Sequence, residues 1–86
     1  MIDKIIELLL ELNYEKSYVS YNSKGMIYTF NYQKENNKVK IYMNNKILFT
    51  DDDVYYSNFY TYTEYYNILN KKCRKHKLTK ILCLIK

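Results

Sequence analysis

From about Ser17 to Thr50, apolar side chains recur at every second residue, and asparagine-rich breaks cut the run into hairpin-sized lengths. A period of two places alternate residues on opposite faces of a strand, which no helix reproduces. Asn22-Ser23-Lys24-Gly25 reads as a turn, with Gly25 free to take positive φ. A four-residue loop there sets Tyr21 opposite Met26 and Val19 opposite Tyr28. Met26, Tyr28, Phe30 and Tyr32 then share one face. A turn at Asn36-Asn37 pairs Tyr32 with Ile41 and Phe30 with Met43. For the next connection, a two-residue turn at Asn44-Asn45 would strand Ile47 and Phe49 outside. A three-residue loop, Asn44-Asn45-Lys46, pairs Met43 with Ile47 and Ile41 with Phe49 and keeps the faces consistent. The expectation is a four-stranded antiparallel meander with a single apolar face.

Helical spacing flanks that run. Ile2, Ile5, Ile6, Leu9 and Leu12 recur at threes and fours, predicting a helix over 2–13, and Leu8 and Leu10 widen its apolar side. After the meander, Asp51-Asp52-Asp53 suits the start of a second helix, one Asp as N-cap and the others favourable to the dipole. Tyr55, Phe59, Tyr62, Tyr66, Leu69 and Cys73 continue at steps of four and three, a stripe of roughly 30 Å at 1.5 Å per residue. The tail 78–86 fits either a helix face (Leu78, Ile81, Leu82, Ile85) or a buried strand, and a strand returning to a sheet edge is the favoured reading. The fold class is therefore α+β: an N-terminal helix, a four-stranded antiparallel meander, a long second helix on one sheet face, and a C-terminal strand or short helix. At 86 residues, one domain spanning 1–86 is expected, and such a chain buries only about 60–65 % of its unfolded surface. A C-terminal strand would leave an edge able to pair with a second copy, so monomer and homodimer both stand.

Charge is divided along the chain. Residues 1–70 hold seven lysines against nine acids, a net of −2, whereas 71–86 hold seven cations and no acid. Lys71, Lys72, Arg74, Lys75, His76, Lys77 and Lys80 crowd the end of the long helix. Cations there complement the macrodipole, but that effect fades within a turn, and seven exceed what it requires. Such a block is the usual footprint of a polyanion, RNA or DNA, or of an acidic protein surface. With a single Arg, base-specific bidentate readout is disfavoured. Tyrosine occurs 12 times in a chain without Ala, Pro or Trp, a bias typical of AT-rich codons that fills a core edge with adaptable rings. Tyr18, Tyr42, Tyr56, Tyr60 and Tyr65 are the candidates for an aromatic binding surface, among which Ile27 and Leu48 are also expected on the outer sheet face.

Other chemistry is sparse. Cys73-x-x-His76 with Cys83 lacks the four ligands and paired spacing of a structural zinc site. Asp51-Asp52-Asp53 is explained by helix capping without a metal. The one histidine sits inside the basic block, a poor place for a general base, and there is no Gly-rich phosphate loop. No enzyme, metal or cofactor is expected. Two cysteines make no disulfide framework, and no secretory leader or membrane span is legible, so a cytoplasmic protein is expected.

In size, element order and composition, the chain resembles small phage and mobile-element proteins of the anti-CRISPR kind. That resemblance implies a non-enzymatic inhibitor that works by occupying a surface on a host nucleoprotein effector. The basic block departs from the acidic duplex mimicry common among such proteins and points to guide RNA or an acidic patch. Two alternatives stand beside it. One is a small protein acting directly on RNA or DNA, with lysines on phosphates and tyrosines stacked on bases. The other is a structural or membrane-surface module using Leu78 to Ile85.

Overall fold

Five antiparallel strands in sequence order form one sheet, with a helix before it and a helix after it. The structure is a computed structural model that describes the backbone of residues 1–85 and the side chains of residues 1–75. Helix α1 spans Ile2–Glu11. Strands β1 (Glu15–Tyr21), β2 (Ile27–Lys34), β3 (Asn37–Tyr42), β4 (Lys46–Asp51) and β5 (Tyr56–Tyr60) follow, and α2 runs Tyr62–Ile85. The α+β class and the meander are as expected. The meander has one strand more.

The alternation builds two distinct faces. Phe30 pairs with Ile41, Tyr32 with Val39, Ile41 with Ile47, and Val39 with Phe49, so all of them point to one side. Ile5 and Leu9 of α1 and Tyr65 and Leu69 of α2 close over that side, and Ile5, Leu9, Val39, Ile41, Ile47 and Leu69 are essentially solvent-free. Cys73 ends the α2 stripe, its buried thiol directed at the Leu8 carbonyl of α1. Leu10 is half exposed, so α1 buries one stripe rather than the wider face expected for it.

Each predicted register is displaced, yet the two central hairpins keep their faces. Tyr32 was expected opposite Ile41 and instead meets Val39, because the tight turn is Glu35-Asn36, with Glu35 at φ 53°. The three-residue loop after β3 is Met43-Asn44-Asn45, not Asn44-Asn45-Lys46, with Asn45 at φ 65°. Both slips amount to two residues in the pairing sum, which preserves side-chain parity. In the first hairpin, Val19 meets Phe30 rather than Tyr28, because register shifts lie between Lys16 and Tyr18 and between Ser20 and Tyr21. The Asn22 side chain accepts from the Lys24 and Met26 amides at 2.9 and 3.0 Å, and Gly25 takes φ 79°, so that turn forms as its sequence indicates.

The larger correction concerns residues 51–61. Asp51-Asp52-Asp53 does not cap a helix. It leads into the β4–β5 connection: the Asp51 carboxylate accepts from the Asp53 amide at 3.0 Å, and Asp53 accepts from the Asn36 side chain at 2.7 Å. Tyr56 and Phe59 are strand residues, and the helix begins at Tyr62 behind a reciprocal cap. The Glu64 carboxylate accepts from the Thr61 amide at 2.9 Å, and the Thr61 hydroxyl accepts from the Glu64 amide at 3.2 Å. Those bonds hold the Glu64 carboxyl below its usual range. At its other end, α1 stops in a Schellman motif, with Asn13 at φ 70°, its amide bonded to the Leu10 carbonyl and that of Tyr14 to the Leu9 carbonyl. The favoured C-terminal strand is also overturned, since α2 continues through Ile85. No turn residue follows Cys73, and the spacing of Leu78, Ile81, Leu82 and Ile85 is helical.

Truncating Leu69 to Ala removes the α2 contact with Ile5, Leu9 and the sheet, and should lower the unfolding free energy by about 2–5 kcal/mol in urea titration. Thr61→Ala should cost about 1 kcal/mol by the same measurement, with little change in far-UV circular dichroism.

Candidate functional site

The helices cover one face of the sheet and leave the other bare. On the bare face lie Tyr18 of β1, Thr29 and Asn31 of β2, Lys38, Lys40 and Tyr42 of β3, Lys46, Leu48 and Thr50 of β4, and Phe59 of β5. Tyr18 and Phe59 are each 53 % exposed, ample for a ring to be stacked upon. Three of these residues are lysines. The Lys46 ammonium lies 4.2 Å from the Phe59 ring centroid and 5.9 Å from that of Tyr42, so cation and aromatics already form one assembly. Tyr28 meets Tyr42 edge-on at 5.6 Å.

A groove of about 320 Å³ crosses this face, lined by Tyr18, Asn31, Gln33, Lys38, Lys40 and Thr50 among others. Its floor is polar yet buried. Asn31, which lines it, is 5 % exposed, and Thr29 beside Asn31 is 2 % exposed, although no helix lies above them. The Asn31 amide donates to the Thr29 hydroxyl at 2.9 Å and to the Tyr18 carbonyl at 3.2 Å, and Thr29 is also hydrogen-bonded to Ser20. The Tyr18 carbonyl stands next to the β1 irregularity, where the ladder is interrupted, and the Asn31 side chain ties it to β2 there. With both amide hydrogens committed, Asn31 has only its oxygen left to offer the groove.

The sequence candidates do not form one surface. Tyr18 and Tyr42 are on the bare face, as expected, with Leu48 beside them; Ile27 is not, because across the register shift it pairs with Tyr21, on the opposite side from Ser20 and Thr29. Tyr56 and Tyr60 are on the helix-covered side of β5, their hydroxyls 3.5 Å apart. Tyr65 is 3 % exposed and packs against Tyr60 at 5.4 Å; it is a core residue, not a binding residue. Burial pushes its hydroxyl far above the ordinary tyrosine range, and burial likewise raises Tyr14 and Tyr32. Lys71, Lys72, Arg74 and Lys75 are exposed on α2, and Lys72 lies 5.9 Å from the Phe49 ring on the helix side. His76, Lys77 and Lys80 belong to α2 by backbone, but their side chains lie outside the described residues. The basic block and the bare face are thus separate features. Sequence reasoning missed Lys38, Lys40, Lys46 and Phe59 as members of the bare face; the alternation of lysine with Val39 and Ile41 signalled the first two, while Lys46 was read into a loop and Phe59 into a helix.

Among the described residues no cluster of three His, Cys, Asp or Glu side chains is placed to hold a metal ion, and no helix is long and apolar enough to cross a membrane. In comparisons with protein-family models, curated proteins and solved structures, nothing matched this chain.

Because Tyr14, Tyr32 and Tyr65 are harder to ionise folded than unfolded, their contribution to stability is complete below the unfolded tyrosine pKa of about 10 and is lost as pH rises beyond it. Unfolding should therefore be promoted above that pH. In a spectrophotometric titration, Tyr65→Phe should leave the tyrosinate signal of the folded protein unchanged, since Tyr65 ionises only on unfolding.

Proposed function

We propose that this protein is a non-enzymatic single-strand nucleic-acid binder whose bare sheet face takes the strand. One observation carries the reading: Tyr18, Tyr42 and Phe59 share with Lys38, Lys40 and Lys46 a face that neither helix covers. Single strands expose flat bases and a continuous line of phosphates. Rings that accept stacking and lysines that act as point charges suit such a ligand, without needing the forked geometry of arginine.

Physical chemistry favours a single strand over a duplex. An aromatic ring on an open sheet meets a base only if that base is unstacked from its neighbours. From β1 to β5 the face crosses four strand spacings, about 19 Å at 4.8 Å each, which accommodates several nucleotides. The groove between Tyr18 and the pair Lys38 and Lys40 offers a recess for one base or sugar, with the fixed Asn31 oxygen in its floor as a hydrogen-bond acceptor. The cations of α2 act from the other layer: they raise the net charge to +5 and draw a polyanion in, while the bare face makes the contacts.

Fluorescence anisotropy with a labelled single-stranded RNA of about ten nucleotides tests the reading. Binding should weaken about 15- to 20-fold between 50 and 200 mM salt if three phosphates are neutralised. Lys38→Gln with Lys40→Gln and Lys46→Gln should flatten that dependence. Tyr18→Ala and Phe59→Ala should each cost about 1–3 kcal/mol of binding. Lys71→Gln with Lys72→Gln, Arg74→Gln and Lys75→Gln should slow association more than it speeds dissociation. No binding at low salt would discard the proposal and leave the inhibitor that docks on a nucleoprotein effector as the reading to pursue.

A further inference from the structure

The two edges of the sheet are built differently. β1 carries Glu15 and Lys16 and is bulged at Ser17, with a second irregularity in its pairing at Tyr28 of β2, the charged, bulged construction that keeps an edge from pairing with another chain. β5 has neither. Its sequence, Tyr56-Ser57-Asn58-Phe59-Tyr60, holds no charge and no proline, and it pairs with β4 in unbroken register from Tyr56 to Tyr60. Among the described residues, no strand pairs with its other side. Of the twelve exposed large apolar residues among those described, four (Val54 and Tyr55 in the preceding turn, Tyr56 and Phe59 in the strand) fall within residues 54–59, so apolar surface adjoins the edge.

We infer that β5 is a homodimer interface, in which the β5 strands of two copies pair antiparallel about Asn58. The strand is self-complementary around that residue. Asn58 meets Asn58, Ser57 meets Phe59, and Tyr56 meets Tyr60 in both directions, giving the same contacts on each copy as a two-fold interface requires. Aromatic rings oppose aromatic rings at both ends, a favourable cross-strand pair. Charge selects the antiparallel arrangement. β5 lies between the Asp51–Asp53 turn at one end, which stays net acidic with Asp52 ion-paired to Lys38 at 3.1 Å, and Lys46 at the other, with the Lys46 ammonium leaning over Phe59. Antiparallel pairing sets the acidic end of one copy beside the lysine end of the other, whereas parallel pairing would bring like ends together. A head-to-tail filament through β1 is opposed by that strand's charges and its bulge at Ser17.

Directly opposed residues point to the same side of a sheet. The dimer is therefore one continuous ten-stranded sheet, twice the five strands of a single copy, with both bare faces on one side and all four helices on the other. The observations that lead to it are independent of the nucleic-acid reading, and either stands if the other fails.

Sedimentation velocity of the full chain across the micromolar range should show a concentration-dependent dimer. Asn58→Lys puts two like charges on the axis and should weaken dimerisation about tenfold or more. Asn58→Cys in a Cys83→Ser background tests the register without relying on a disruptive change. Opposed Cα atoms lie about 4.5–5.5 Å apart, within disulfide reach, so oxidation should yield a covalent dimer. Ser57→Cys in the same background faces residue 59 and should cross-link poorly. A protein that stays monomeric at every concentration would overturn the inference. So would a dimer that Asn58→Lys leaves intact, or one that cross-links equally through positions 57 and 58.

Discussion

The contact of Leu9 and Leu69 above Ile41 and Ile47 is the constraint from which the rest follows. A ten-residue helix such as α1 is marginal by itself in water, and a meander with one apolar face is no better placed. Each becomes stable by covering the other. α2 completes the arrangement because Tyr65, Leu69 and Cys73, one turn apart, touch the sheet and α1 together. With so little surface available in a chain of 86 residues, this single cluster carries most of the hydrophobic stabilisation. The helices have no second layer to fill, so the opposite face of the sheet stays in water.

That division was largely legible in the sequence, because it depends on parity. Alternation assigned Phe30, Tyr32, Ile41, Ile47 and Phe49 to one side, and the two-residue slips in pairing left the assignment intact. Position within the turns was less legible. Asparagine and lysine occur at each break, with glutamate beside them at the second, and several of these residues can adopt a left-handed or polar turn geometry, as Glu35 and Asn45 do. Tyr55, Phe59 and Tyr62 misled for a definite reason: aromatics spaced by three or four satisfy a helical template even when they straddle a strand and its turn. Thr61-x-x-Glu64 was the better marker of the helix start, and the three aspartates offered a competing one.

The candidate site shows the same pattern at a finer level. A lysine-rich strand such as β3 reads as a solvated edge until its neighbours are known, and only its central place, with β2 and then Tyr18 of β1 on one side and β4 and then Phe59 of β5 on the other, makes it part of a surface. The buried Thr29 and Asn31 could not be foreseen from a one-sided sheet, because their burial comes from neighbouring side chains and from bonds to a carbonyl beside an irregularity. Those bonds also give β1 a reason to keep its place. A polar group buried without its partner is costly, so sliding β1 along β2 would forfeit more than a row of ladder bonds. The basic run on α2 was legible as charge, but its location in the other layer was not.

The order in which the core closes carries a consequence in time. Every strand connects to its neighbour, and such hairpins form in about 1–10 microseconds. Leu69 and Cys73, which cover Ile41 and Ile47, come more than twenty residues later in the chain. At about 5–20 residues per second of synthesis, that interval lasts roughly one to four seconds. For that period the growing chain carries a finished row of isoleucine, valine and aromatic side chains roofed only by α1. The delay is about a million times the folding time of a hairpin. During it, the lysines of β3 and the uneven edge of β1 are what the unfinished sheet has to hold neighbouring chains at a distance.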